Sequence, residues 1–337
     1  MAQKSTDMKI TDLKKELSQG HIRSLYLFYG PENYIQEDYE RKISNMVPDG
    51  GFPEFNHIRF EGTNTDLSEY DDAWEGLPMM TDRKLIIIRG SGIFKKASEE
   101  VKNFWQEKFS RITNDLVVIF EENEIDKRGV LYKAVKKNGC VISFDYQSEP
   151  DLVTWINRQA LKAKIKMSKD AAKYMVNIIE PGLNTLKNEF DKLVNYCDGE
   201  ITKADIDRVV SKSTQIQAFD LTNAIMKHDA DTAMHVVNGL RTSKESAFGI
   251  LYLMYSSAEK LLKAKTAGSR NKYEVAQITG MSPYIADLYI SSSAGFSEDA
   301  IKRMVTRIPE IDFEIKSGRI DQWTAVEQYI AECIYYS

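Results

Sequence analysis

The residues that invite a chemical reading lie in one short stretch, "LYLFYGPENYIQEDYERKI", Leu25 to Ile43. An apolar run ends at Gly30-Pro31 and a polar, helix-forming segment follows. A strand, a glycine turn and a helix form the frame that holds the phosphates of a nucleotide. A working loop of this kind reads G-x-x-x-x-G-K-[ST]. Its backbone N–H groups wrap the phosphates, its lysine reaches them, and its hydroxyl binds magnesium. Here the frame reads Gly-Pro-Glu-Asn-Tyr-Ile-Gln-Glu. Pro31 removes an N–H from the cradle. Glu32 and Glu37 bring negative charge to where a triphosphate would sit, and no lysine appears before Lys42. At roughly 1.5–3 kcal/mol for each missing charge-assisted bond, productive nucleotide binding should be lost. Gly30, Pro31 and Glu32 therefore mark a degenerate loop, and no cofactor is expected.

Other constellations carry less. "LVVIFEEN" ends an apolar strand in Glu121 and Glu122, as a magnesium- and water-handling site would. With no lysine loop to serve, they are expected to cap a strand end in a solvated loop. His228 and His235 lie seven apart with no third ligand at metal spacing, so they read as surface histidines. No nucleophile elbow, zinc-protease motif or dinucleotide fingerprint is present. The three cysteines, Cys140, Cys197 and Cys333, are far apart and odd in number, which suggests reduced thiols in the cytoplasm. As an enzyme in its own right the chain looks empty.

The elements that position these residues change character along the chain. Before residue 145, "SLYLFYG", "FNHIRFEG", "KLIIIRG", "DLVVIFEE" and "GCVISFD" read as strands. The continuous aliphatic runs among them are those of strands buried on both faces. Helical stretches at 32–46, 66–76, 98–109 and 128–138 separate them. Alternating strands and helices predict a mostly parallel, three-layer α/β domain over 1–145. Strand runs stop after Pro150, and the remainder reads as all-α: a small helical block over 146–212, then longer helices over 213–337. Ser168 is a predicted N-cap, and Ala172, Met175, Val176 and Ile179 form the stripe that follows it.

At 337 residues the chain is long enough for two or three domains, and 42% hydrophobic content can fill real cores. The formal net charge of −5 is spread evenly, which excludes a freestanding nucleic-acid-binding arm. Lys127, Arg128, Lys133, Lys136 and Lys137 cluster after the fourth strand. They read first as solvated helix faces, with a phosphate contact as the alternative. No run is long enough to span a membrane, and no signal peptide is expected.

Taken together, "YLFYGPENY", "GLPMMTDRKLIIIRG", "DLVVIFEENEIDKRGVLYKAVKKNGCVISFD" and the closing "IDFEIKSGRIDQW" resemble the delta subunit family of the bacterial DNA polymerase III clamp loader. The resemblance runs in order over nearly the whole chain. It implies a first domain of AAA+ type, a P-loop NTPase fold that has lost its nucleotide site. It also implies a helical lid and a C-terminal helical collar that joins a ring. The partners it implies are the ring-shaped sliding clamp (the beta subunit), the tau/gamma ATPase subunits, the delta-prime subunit, and primed DNA through the complex. The implied task in DNA replication is to bind and open the clamp without ATPase activity of its own. Polymerase activity would belong to the holoenzyme. In that family a pair of large apolar residues, commonly Leu-Phe after Leu-Pro, meets the clamp. The matching residues here are Leu77, Pro78, Met79 and Met80, a departure in type. Methionine still suits a plug, being flexible and able to fill irregular pockets. From residue types alone Met79 and Met80 would pack on their own core; the resemblance predicts them exposed. Arg83 and Lys84 read equally as rim charges beside the plug or as solvated surface. Trp323, Phe313 and Tyr329 are expected to be partly buried against sister collars. A ring scaffold that never touches a clamp, or an active ATPase with an unusual loop, are the competing readings.

Overall fold

The computed structural model describes residues 7–63 and 66–336. The chain begins with α1 (Ile10–Ser18), β1 (Leu25–Tyr29), α2 (Asn33–Ser44), α3 (Pro53–Asn56) and β2 (His57–Glu61). It continues through α4 (Leu67–Glu75), β3 (Lys84–Arg89), α5 (Glu99–Ser110), β4 (Leu116–Glu122), α6 (Val130–Asn138) and β5 (Cys140–Ser143). The five strands form one sheet in the order β2-β3-β4-β1-β5, with every pairing parallel. This is the mostly parallel, three-layer α/β arrangement that the alternating strands and helices predicted.

The pleat explains why these strands read as unbroken apolar runs. Leu25, Leu27 and Tyr29 face one layer and Tyr26 and Phe28 the other; Ile86 and Ile88 oppose Leu85 and Ile87 in the same way. One layer is aromatic, with Tyr70 and Trp74 of α4 and Trp105 and Phe109 of α5 against Phe120. The rings of Trp105 and Phe109 each meet Phe120 edge-on, at 5.1 and 5.5 Å between centroids. The other layer sets Leu13 of α1 and Tyr39 and Ile43 of α2 against β1, β3 and β4. A sheet covered on both faces has to have apolar residues at both parities.

The remainder of the chain is α7 (Glu149–Ala163), β6 (Lys166–Met167), α8 (Lys169–Ile178), α9 (Leu183–Tyr196), β7 (Glu200–Ile201) and α10 (Lys203–Val209). Then come α11 (Thr214–Met226), α12 (Ala230–Thr242), α13 (Ala247–Thr266), α14 (Lys272–Thr279), α15 (Pro283–Ser293), α16 (Glu298–Lys316) and α17 (Gln322–Tyr336). Helix starts follow capping chemistry. The hydroxyls of Ser168, Ser213, Ser246, Ser282 and Ser297 each accept an N–H of the first turn, and Thr202 with Asp205 forms a full capping box. One expectation fails here. Strand pairing does not end at Pro150, because β6 and β7 pair in parallel over two residues each. A two-residue strand is too short to leave a periodic signal. None of these helices is long and apolar enough to cross a membrane.

The chain divides into two compact units. One runs up to Leu152 and includes Pro181–Asn188; the other comprises Val153–Glu180 and everything from Glu189 onward. In the second unit α13 is the central helix, with Ile250, Leu251, Met254, Ala258 and Leu261 buried. Tyr329 is fully buried there, and its hydroxyl donates to the Met304 carbonyl at 3.0 Å. It belongs to its own unit's core and is not left for a sister subunit, as the sequence had suggested. Phe313 is exposed, with the Arg319 guanidinium over its ring. The Arg241 guanidinium lies over Trp323.

Phe109 is fully buried among four aromatic neighbours. Phe109→Ala should therefore cost the first unit about 3–5 kcal/mol. The check is the urea midpoint of that unit's transition, followed by tryptophan fluorescence.

Candidate functional site

The loop after β1 is built from the chain's own bonds. Gly30 has φ +123°, and a Cβ there would stand 2.5 Å from the Phe144 carbonyl oxygen. The glycine thus accommodates the backbone beyond β5, where a phosphate would otherwise be the reason for it. The cradle's N–H groups are already donated. Gly30 N–H bonds the Glu122 carbonyl at 3.0 Å, Glu32 N–H the Phe144 carbonyl at 3.0 Å, and Asn33 N–H the Pro31 carbonyl at 3.1 Å. The Gln36 side-chain amide donates to the Gly30 carbonyl at 2.7 Å.

Glu32 does more than repel phosphate. It is buried, and its two carboxylate oxygens accept the Leu183 N–H at 3.1 and 3.2 Å. Leu183 is the first residue of α9, so a side-chain anion sits where a helix N-terminus attracts one. Burial raises the Glu32 carboxyl above its ordinary pKa, and the Leu183 N–H opposes that rise.

At the end of β4, Glu121 and Glu122 are buried, contrary to the solvated loop expected for them. They are the last residues of the strand, and burial follows from the pairing of β4 with both β1 and β3. Glu122 accepts the Ser91 hydroxyl and the Gly92 N–H. Glu121 accepts Arg89 Nε at 2.7 Å, and the same guanidinium reaches Glu40. Glu40 also takes Arg59 at 2.8 Å. One oxygen of Glu121 is buried with no partner. Burial first, and the Glu40 carboxylate second, push the Glu121 carboxyl up to about 7. These acids make a structural ion cluster. Among the described residues no group of His, Cys, Asp and Glu is placed to hold a metal.

The second candidate lies between α4 and β3. Leu77 and Met80 are each 82% exposed and Met79 42%, while Pro78 is half-buried. Leucine and methionine side chains so exposed on one short turn are unusual for surface a chain keeps in water. The turn is nevertheless ordered. Asn56, fully buried, donates Nδ2 to the carbonyls of Met79 (2.7 Å) and Asp49 (2.8 Å) and accepts the Met79 N–H at 2.8 Å. Met80 has φ +58°, a left-handed conformation rare for methionine. Lys84 is not a rim charge. It is 2% exposed, and its ammonium donates to the Ala73 and Gly76 carbonyls, closing the end of α4. Burial lowers its pKa. Sequence reading missed Asn56, and it missed Phe55, which is 54% exposed on the same helical turn. A phenylalanine and an asparagine after a Gly-Gly turn carry no motif.

The His228 ring nitrogen meets the Ile334 carbonyl at 2.5 Å. In the basic cluster Lys136 bonds Asp7 at 2.8 Å, Lys127 lies over the Tyr29 ring, and Arg128 pairs with Asp126.

Two outcomes follow from this geometry. Gly30→Ala should destabilise the first unit by about 2 kcal/mol or more, read as a drop in its denaturation midpoint. Glu121→Gln should change the pH profile. A raised carboxyl pKa means the fold holds the proton more tightly than the unfolded chain does. Its contribution is then complete below about pH 4.5 and is lost as pH rises through about 7. The variant should flatten that fall and be the more stable protein at pH 8, on the order of 1 kcal/mol by thermal or urea unfolding.

Comparison with known proteins gives a consistent result. A family model described as DNA polymerase III, delta subunit, matches residues 26–145. A second, for the C-terminal domain of the DNA polymerase III delta subunit, matches residues 215–333. DNA polymerase III subunit delta of Bacillus subtilis (strain 168) is 21% identical over 336 residues, spanning 96% of this chain and 97% of its own. The solved Bacillus subtilis DNA clamp loader delta protein superposes with a TM-score of 0.57 at 20% identity, covering 96% of this chain and 99% of that one. At that identity the superposition speaks for the fold, and the sequence matches speak for descent. With its N-terminal and C-terminal regions matched by models of one and the same subunit, the chain belongs to the DNA polymerase III delta subunit family.

Proposed function

We propose that this chain is the clamp-opening subunit of a bacterial clamp loader, working in the cytoplasm. The observation that carries the reading is the turn at Leu77, Pro78, Met79 and Met80, with three large apolar side chains held out on an ordered backbone. On this reading Met79 and Met80 enter an apolar pocket of the sliding clamp, as buried anchors of a small interface do. Opening then needs no chemistry by the chain. A subunit that binds the distorted ring better than the closed ring shifts the equilibrium by that difference in affinity.

The chain itself is read as inactive toward ATP. Support comes from the loop after β1, with its N–H groups donated to carbonyls and Glu32 on the Leu183 N–H. The division into an α/β domain (1–145), a lid (146–212) and a collar (213–337) is part of the same proposal. So are the ring partners: tau/gamma ATPases and delta-prime, with primed DNA met through the assembly. Any polymerase activity would be that of the holoenzyme.

The experiment is calorimetry of the purified chain with a bacterial sliding clamp, without nucleotide, alongside the Met79→Ala/Met80→Ala double variant. The intact chain should bind, and the variant should lose about 2 kcal/mol or more, roughly thirtyfold in Kd. No binding by the intact chain would favour a scaffold role. A parallel titration with ATP should give no heat, and micromolar ATP binding would overturn the reading of the loop.

A further inference from the structure

The exposed turn has a built-in support that the clamp-binding reading alone does not require. The Asn56 side-chain amide meets both backbone groups of Met79, accepting its N–H and donating to its carbonyl, at 2.8 and 2.7 Å. A third bond ties the same Nδ2 to the Asp49 carbonyl at 2.8 Å. One orientation of the amide satisfies all three, because two carbonyls need the donor end and one N–H needs the acceptor end. This is the two-bond pattern by which one strand residue grips another, supplied here by a buried side chain. Gly50 also lies so close that a Cβ would stand 2.9 Å from the Met79 carbonyl oxygen and 3.1 Å from that of Met80. Below, the Lys84 ammonium holds the Gly76 carbonyl. Met80, between these supports, is kept at φ +58°. A non-glycine residue persists there when its surroundings over-determine it.

We infer that Asn56 is the positioning residue of the Leu77–Met80 turn, holding it in its binding conformation before a partner arrives. The inference rests on the reading of that turn as the clamp contact. Methionine is the flexible choice for a plug, and ordering a flexible loop on binding opposes affinity. A backbone fixed in advance removes part of that cost and leaves the side chains alone to settle. The arrangement offsets the softness of the Met-Met pair with a rigid seat, and the seat lies 23 residues upstream of the residue it holds.

The test is a double-mutant cycle on the full chain, with calorimetry against the sliding clamp. Asn56→Asp keeps the shape and the acceptor for the Met79 N–H but turns a carboxylate toward two carbonyls. It should weaken binding roughly tenfold or more. Amide exchange at Met79–Thr81 should quicken, with the unit's unfolding transition retained. The factor should shrink severalfold when Met80 is already alanine, because a mobile turn costs little once its anchor is gone. A merely structural asparagine would give the same factor in both backgrounds, and that result, or wild-type binding by Asn56→Asp, overturns the proposal. If Asn56→Asp does not fold, Gly50→Ala presses on the Met79 and Met80 carbonyls of the same turn and should show the same coupling to Met80; its absence overturns the proposal equally. If the intact chain does not bind the clamp, the functional reading itself fails and takes this one with it. If binding is intact and coupling absent, the functional reading stands and the role of Asn56 falls.

Discussion

A parallel sheet covered on both faces is the constraint from which the rest of the first unit follows. Apolar layers close both sides of the five strands, so only the strand ends remain for anything else. Because all the strands run the same way, the two ends differ. Loops that follow strands gather at one end, with Gly30, Glu32, Glu121 and Glu122. Loops that precede strands gather at the other, with Asn56 before β2 and the Leu77–Met80 turn before β3. The degenerate loop and the exposed turn are thus on opposite edges, separated by the length of a strand, roughly 20 Å for six residues. A protein of this build can lose one edge's function without disturbing the other's.

The residues of the loop after β1 and of the strand ends beside it have structural work of their own. Gly30 is required by the Phe144 carbonyl. Glu32 occupies the anion position at the start of α9. Arg89 bridges the buried Glu40 and Glu121, and Arg59 adds a second cation at Glu40. These backbone and carboxylate contacts hold the loop in shape without a ligand.

Much of this was legible in the amino acids. The apolar runs of β1, β3, β4 and β5 located the sheet to within a residue or two, because strands buried on both faces leave no polar alternation to confuse. The serine caps marked helix starts. The exposure of Met79 and Met80 agreed with the resemblance against what their residue types alone suggested. What stayed hidden was non-local. The bond from Glu32 spans 151 residues and the grip of Asn56 on Met79 spans 23. Lys84 was misplaced for the same reason, since its partners are carbonyls at the end of the preceding helix, and backbone groups leave no trace in residue type. The four-residue α3 and the two-residue β6 and β7 were too brief to register as patterns.

Glu32 has one more consequence. A fold that waits for a ligand gains stability with the logarithm of the ligand's concentration, and so follows the metabolic state of the cell. A carboxylate on the same chain is present at a fixed effective concentration, whatever surrounds the molecule. On the reading of the loop after β1 as inactive toward ATP, its order carries no dose response, because the anion that caps α9 comes from Glu32 of the same chain.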